Sequence, residues 1–416
     1  MRFESLSSRL VRFGLAGLLA VVTANESMSA ETGRLVEGNT AFAIDFYGQL
    51  KTAPGNVFFS PFSISTCLGM AYAGARGDTE KQMARVLHFA AQQSQFHAAF
   101  NELQRGLNND AAQTQIQLNI ANALWTQQGH PFLPDFLKLT SQNYQASIRQ
   151  VDFTTAAESA RAEINQWVEQ QTHNRIIDIL PPDGLSNLSR LVLVNAIYFK
   201  GSWARQFLAA ETSKMPFFLS STKKSEVPMM HHFDQVNYAA TTNFQAVELP
   251  YRGNALSMLI FLPRHVAGCS QLENWLTPIF IQQWLSRMKM QEVEIFLPKF
   301  KMEFTSELRG TLERMGMTDA FASGPPLAGP SADFSGIDGT KSLSISKVFH
   351  KAWVEVSEEG TEAAAATATA LAEPVGIGQE PPRPPVFRAD HPFLFFIRDR
   401  RSGSLLFLGR LADPNT

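Results

Sequence analysis

The run "NLSRLVLVNAIYFKGSW", Asn187 to Trp203, limits the fold more than any other stretch. Most of it is apolar on both faces of an extended chain. A strand with one wet face alternates apolar and polar residues, so this run is predicted to be a central strand covered on both sides. Layers must then lie above and below a sheet. The chain can build them, with 416 residues, 44% hydrophobic and 18% charged. Its 32 phenylalanines favour a sheet-rich, aromatic-packed interior.

Before that strand the pattern is mainly helical. "EGNTAFAIDFYGQL" has apolar residues at helical spacing behind an Asn-Thr start. "PFSISTCLGMAYAGA" opens with Pro61 and a serine at the N-cap position. "ESARAEINQWVEQQTHNRI" aligns Ala160, Ile164, Trp167 and Val168 on one stripe. After it come β-branched and aromatic runs, "NALSMLIFLPR", "EVEIFLPKFKMEF" and "LSISKVFHKAWVEV". The end, "HPFLFFIRDRRSGSLLFLGRLADP", reads as a hairpin turning at "RRSG". Helices first and strands later predict an α+β architecture built as one unit.

The first thirty residues read as an address. Arg2, Arg9 and Arg12 precede the apolar run Phe13 to Val22, and Val22 and Ala24 are spaced for signal peptidase. The run is short for a membrane span. A secretory signal over 1–24, its cut no later than about 30, leaves one domain over 31–416 in a secreted or periplasmic protein. An uncleaved N-terminal anchor is the weaker reading. No later run reaches transmembrane length, so no membrane partner is expected. A net charge of -2 offers no footprint for nucleic acid. The segment from Gln92 to Asn109 is not basic, so heparin activation is not expected. Cys67 and Cys269 sit in apolar contexts, and two buried free thiols are at least as well supported as a disulfide.

Few motifs suggest catalysis. "SISK", Ser344 to Lys347, matches an S-x-x-K pattern, but it lies in an alternating strand where that chemistry needs a helix start. His231 and His232 in "HHFD" face opposite sides of a strand, and no third ligand has suitable spacing, so no metal is expected. No phosphate loop, G-x-S-x-G or C-x-x-C occurs, and no cofactor is expected. Asn25-Glu26-Ser27 and Asn187-Leu188-Ser189 are glycosylation sequons, meaningful only in a eukaryotic host.

Several separated blocks carry a resemblance. "NVFFSPFSIS", "ANALWTQQGHPFLPDFL", "INQWVEQQTHNRIIDIL", "LVNAIYFKGSW", "LPKFKMEF", "ADFSGI", "SKVFHKAWVEVSEEGTEAAAAT", "FRADHPFLFFI" and "LFLGRLADP" occur in the order found in the serpin family. The chain resembles serpins from about Glu37 to Pro414. The resemblance implies three β-sheets, about nine helices and an exposed reactive-centre loop over about 358–385. It also implies a monomeric suicide-substrate inhibitor, with polymerisation as its failure mode. A serine protease attacks the loop, and the cleaved loop enters the main sheet as a strand, trapping the acyl-enzyme. By family position the loop hinge comprises Glu358, Gly360, Thr361, Glu362, Ala363, Ala364, Ala365 and Ala366. Ser60, Ser63, Asn195 and His350 match a polar cluster under the sheet, the shutter. Gly201, Trp203 and Lys299 match the breach, where insertion begins and where Lys299 can pair with Glu358.

The tract "SEEGTEAAAATATALAEP", Ser357 to Pro374, fits that role on its own chemistry. Alternation from Gly360 puts Thr361, Ala363 and Ala365 on one face and Glu362, Ala364 and Ala366 on the other. Small residues slide between two strands without overpacking. Fifteen of them, extended, span roughly 50 Å. Read alone, the tract is equally a flexible Ala/Thr linker. No proline or large residue of the kind found in non-inhibitory serpins interrupts the hinge. "AEPV" before Gly376 suits elastase-like proteases, so the expected bond is Val375–Gly376, with Leu371–Ala372 and Ile377–Gly378 as rivals. A non-inhibitory serpin acting as binder or carrier, and a hydrolase using Ser344 and Lys347, are the alternatives.

Overall fold

A computed structural model describes residues 29–89, 92–114, 116–144, 147–324, 331–361 and 383–416. The expected leader and the loop from 362 to 382 lie outside the described residues. The first part runs α1 (Ala30–Leu50), β1 (Val57–Phe59), α2 (Pro61–Tyr72), α3 (Gly77–Val86), α4 (Gln93–Thr114), β2 (Gln117–Gln127), α5 (Pro134–Tyr144), β3 (Ser147–Val151), α6 (Phe153–Gln171) and β4 (Leu191–Ser202). The second runs β5 (Ser213–Phe218), β6 (Lys224–Ala240), β7 (Phe244–Pro250), β8 (Leu256–Pro263), α7 (Cys269–Trp275), α8 (Pro278–Arg287), β9 (Lys289–Pro298), β10 (Phe300–Glu307), α9 (Arg309–Arg314), α10 (Ser335–Asp338), β11 (Ile345–Ser357), β12 (Gly360–Thr361), β13 (Val386–Arg388), β14 (Phe393–Asp399) and β15 (Leu405–Leu411). Ten α-helices are thus described, against about nine expected.

Local chemistry sets the helix starts. Ser60 is extended, its Oγ accepts from Ser63 N at 3.1 Å, and Pro61 takes the first helical position of α2. Asp152 caps α6 by accepting from the amides of Thr154 and Thr155. The predicted stripe of α6, Ala160, Ile164, Trp167 and Val168, is buried.

The strands form two hydrogen-bonded sheets. One is six-stranded, in the order β10-β11-β12-β4-β2-β3. The other follows β1-β15-β14-β8-β7-β6-β9-β13, with β5 on β6 as its ninth strand. The long strand β6 pairs with β9 over 229–238 and with β7 over 237–240. What the resemblance divides into two smaller sheets is therefore joined through one continuous strand.

The apolar run within Asn187 to Trp203 forms β4, and it is covered on both faces. Leu191, Leu193, Ile197 and Phe199 join the main core beneath the sheet. Val192, Val194, Ala196 and Tyr198 join a second core under α6, with Trp125, Trp167 and Trp353. The C-terminal hairpin pairs β14 with β15 and turns through Arg400 to Gly403, where Gly403 takes φ +79°. Cys67 and Cys269 are both free and buried. Burial pushes both thiols up, so neither is a ready nucleophile. No described helix is long and apolar enough to cross a membrane.

Candidate functional site at the fork of the six-stranded sheet

Strands β4 and β11 pair in parallel from Leu191/Ile345 to Tyr198/Trp353 and then part. The gap is filled by β12. Its Gly360 and Thr361 pair with Ser357 and Val356 of β11 on one side and with Ser202 and Gly201 of β4 on the other. The chain thus turns back through Glu358 and Glu359 and starts a new central strand where its neighbours diverge. The undescribed loop begins at the next residue.

A set of contacts holds this start in place. Trp203 Nε1 donates to Ser357 O at 3.0 Å, and its backbone N–H donates to Glu359 O at 2.9 Å. Phe207 N donates to Glu358 O at 2.8 Å. The Trp203 ring stacks on Tyr251 at 4.7 Å and 9°. Tyr251 and Thr361 share a buried hydroxyl hydrogen bond of 2.9 Å. The Glu358 carboxylate receives Lys299 Nζ at 2.8 Å and Thr212 Oγ1 at 2.9 Å. Burial pushes that carboxyl upward, but these bonds outweigh it and hold it below the usual range. Gly360 sits at φ +150°, packed against the backbone of Gly201.

Lower in the same sheet, three polar side chains lie in one cross-strand row. Asn122 of β2 pairs with Asn195 of β4, and Asn195 with His350 of β11. They hydrogen-bond directly along the row, Asn195 Nδ2 to Asn122 Oδ1 and His350 Nδ1 with Asn195 Oδ1. Asn195 Nδ2 also donates to Ser63 O at 3.0 Å and to Ser63 Oγ. Ser60 N donates to His350 Nε2 at 3.3 Å, and Ser60 Oγ donates to Leu406 O at 2.6 Å. An Nε2 that accepts leaves the proton on Nδ1, aimed at Asn195. Burial holds the imidazole neutral and its pKa down to about 3. The row lies between the N-terminus of α2 and strands β4 and β11. A strand entering between β4 and β11 would have to break the His350–Asn195 bond.

The residues expected at the hinge start, shutter and breach are thus found at two places along one seam. Glu362 and Ala363 to Ala366 lie outside the described residues, as do the candidate bonds at Val375–Gly376, Leu371–Ala372 and Ile377–Gly378. Asn122, Thr212 and Tyr251 were missed by sequence reading. Asn122 looks like an ordinary strand polar residue until register pairs it with Asn195.

Elsewhere the described residues form no metal site. His232 is buried and stacked on Phe207 at 3.8 Å, while His231, on the opposite face, meets Glu294 at 3.2 Å. No group of three metal-ligating side chains occurs among the described residues. Ser344 precedes β11 and Lys347 lies within it, so neither sits at a helix start.

A family model, "Serpin (serine protease inhibitor)", matches residues 37–414. The chain is a serpin. Its family is one of protease inhibitors and not of enzymes, which removes the Ser344–Lys347 hydrolase reading. The serpin is 43% identical to a leukocyte elastase inhibitor of Xenopus tropicalis, covering 90% of this chain and 98% of the relative. It is 39% identical to the human leukocyte elastase inhibitor, covering 92% of this chain and 100% of the relative. An uncharacterized serpin-like protein of Thermococcus kodakarensis is 40% identical, covering 91% of this chain and 86% of the relative. Among solved structures, uncleaved ovalbumin matches with a TM-score of 0.80 at 31% identity, over 91% of this chain and 100% of that one. Human thyroxine-binding globulin matches with a TM-score of 0.81 at 29% identity, over 92% and 100%.

Proposed function

We propose that this serpin irreversibly inhibits elastase- or chymotrypsin-like serine proteases by insertion of its cleaved loop. The observation that carries the reading is the wedge β12, a two-residue strand already seated between β4 and β11 and continuous with a tract of small residues. Insertion then extends an existing strand and need not nucleate a new one. Loop residues slide downward while the eight paired positions of β4 and β11 separate. The new strand restores the lost ladder on both its sides, which gives insertion its driving force. An acyl-enzyme attached to the loop is carried along. Similarity to leukocyte elastase inhibitors supports the aliphatic bait at Val375–Gly376. The residues Ser60, Ser63, Asn122, Asn195 and His350 lock the seam, and Gly201, Trp203, Lys299 and Glu358 hold its mouth.

Mixing the serpin with leukocyte elastase should yield an SDS-stable complex, and mass spectrometry of the released C-terminal fragment should place its start at Gly376. Cleavage with no stable complex would favour the carrier reading instead.

The basic and apolar leader precedes the region matched by the family model. We read it as a secretion signal, removed between residues 24 and 30. Intact-mass measurement of protein recovered outside the cytoplasm should show a chain beginning in that window. A chain retaining its first residues, or found only inside cells, would refute secretion.

A further inference from the structure

The chain that leaves the bait loop is fixed again at Pro385, whose carbonyl accepts from Glu294 N at 3.0 Å. It continues as β13, the edge strand beside β9. Register across β6, β9 and β13 creates two rows on one face, Phe233–Glu294–Val386 and His231–Phe296–Arg388. The intervening row, His232–Ile295–Phe387, is buried in the core, so the first two rows lie on the opposite face, where Phe296 is covered by its neighbours.

These outward side chains support one another. The Arg388 guanidinium lies 3.6 Å from the centre of the Phe296 ring. His231 stacks on the same ring at 4.4 Å, and Phe233 meets His231 edge-on at 5.5 Å. Glu294 at 3.2 Å and Glu211 at 3.7 Å hold the His231 ring from two sides. The same face carries two apolar side chains in water, Phe233 at 41% exposure and, across Glu294, Val386 at 42%. A single exposed apolar residue is ordinary. Two of them on a rigid strand face, beside a stacked arginine and an aromatic ladder, have the composition of an interface hot spot.

We infer that this ladder docks the body of the protease that attacks the bait loop. The inference rests on the proposed inhibitory function. Chain length selects the occupant. Ten residues separate the favoured bond from Val386, a span of at most about 33 Å. A protease domain of about 230 residues measures roughly 45 Å across. An enzyme wider than its tether, with its cleft on the bait, brings its flank within reach of β13. The ladder then adds a second contact to a short, promiscuous bait sequence and speeds the encounter that precedes acylation.

The test compares wild type with Phe233→Ala/Val386→Ala and with Phe233→Glu, using leukocyte elastase and chymotrypsin. Association rate constants should fall about tenfold for the double alanine variant and further for Phe233→Glu, with inhibition stoichiometry and thermal transition unchanged. Rates within twofold of wild type for both variants would overturn the docking role. So would sedimentation showing that the wild type self-associates and the variants do not, since the occupant would then be a second copy. Should wild type be cut without forming a stable complex, the inhibitory reading fails on its own, and kcat/KM for loop cleavage reads the ladder with the same expected drop. Failure of both enzymes to cut the loop would overturn both proposals.

Discussion

Gly360→Ala should convert the protein from an inhibitor into a substrate. At φ +150° a side chain is strained before any contact is considered, and the contacts are worse. A Cβ there would stand 2.2 Å from Gly201 O and 2.5 Å from Ser202 Cα. Both are backbone atoms of β4, so no side chain can swing aside. Strain and overpacking together are on the order of 3 kcal/mol or more. The relief is for β12 to leave the fork, surrendering its pairing to Gly201 and Ser202 and the Thr361–Tyr251 hydrogen bond. Insertion must then nucleate before it can propagate, while hydrolysis of the acyl-enzyme proceeds at its own rate. Each 1.4 kcal/mol added to the insertion barrier shifts that race about tenfold. Denaturing gels with leukocyte elastase should therefore show mainly cleaved serpin, with the complex reduced at least tenfold. A wild-type yield of complex would show that the seated wedge has no part in trapping.

Much of the architecture was legible because its signals are local. β4 announces double coverage through apolar residues at both parities. The stripe of α6, the Ser60–Pro61 start of α2 and the "RRSG" turn each need only a few neighbouring residues. The site is different, because its geometry is made by register between distant segments. Asn122, Asn195 and His350 are 73 and 155 residues apart along the chain, and only the pairing of β2, β4 and β11 brings them into one row. Read alone, each is a polar residue in a strand and looks like a surface position. Family resemblance supplied Asn195 and His350, but not Asn122. Gly360 shows the same limit. A glycine after "SEE" reads as a turn residue, whereas its constraint comes from the backbone of Gly201, 159 residues earlier. Tyr251 likewise has no local mark, since its role depends on stacking with Trp203 and on the hydroxyl of Thr361.

His350→Ala should lower the barrier that keeps the sheet closed, and change how the protein responds to acid. The substitution strips Asn195 Oδ1 and Ser60 N of their partner in a fully buried site. Each unsatisfied group costs about 1–3 kcal/mol. The proposed insertion mechanism requires a native state held by a kinetic barrier, so the loss should be read as a rate. On warming, native gels should show latent or polymeric forms at temperatures where wild type stays monomeric. The acid response follows from the buried histidines. Burial lowers His350 to about 3 and both His97 and His232 to about 4, whereas the unfolded chain takes up protons near 6.5. Folded-state values below the unfolded one mean that this stability is complete above pH 6.5 and is lost as pH falls toward 4. Each neutral histidine contributes a slope of about 1.4 kcal/mol per pH unit in that window. Carboxylates are common to both proteins, Asp234 with its pKa raised by burial among them, and cancel in the comparison from pH 6 to 5. Wild type should lose stability there with a slope steeper than that of His350→Ala by about one proton, measured as the urea midpoint of the first unfolding transition. Equal slopes for the two proteins would mean that His350 is already protonated, or already open to solvent, in the native state.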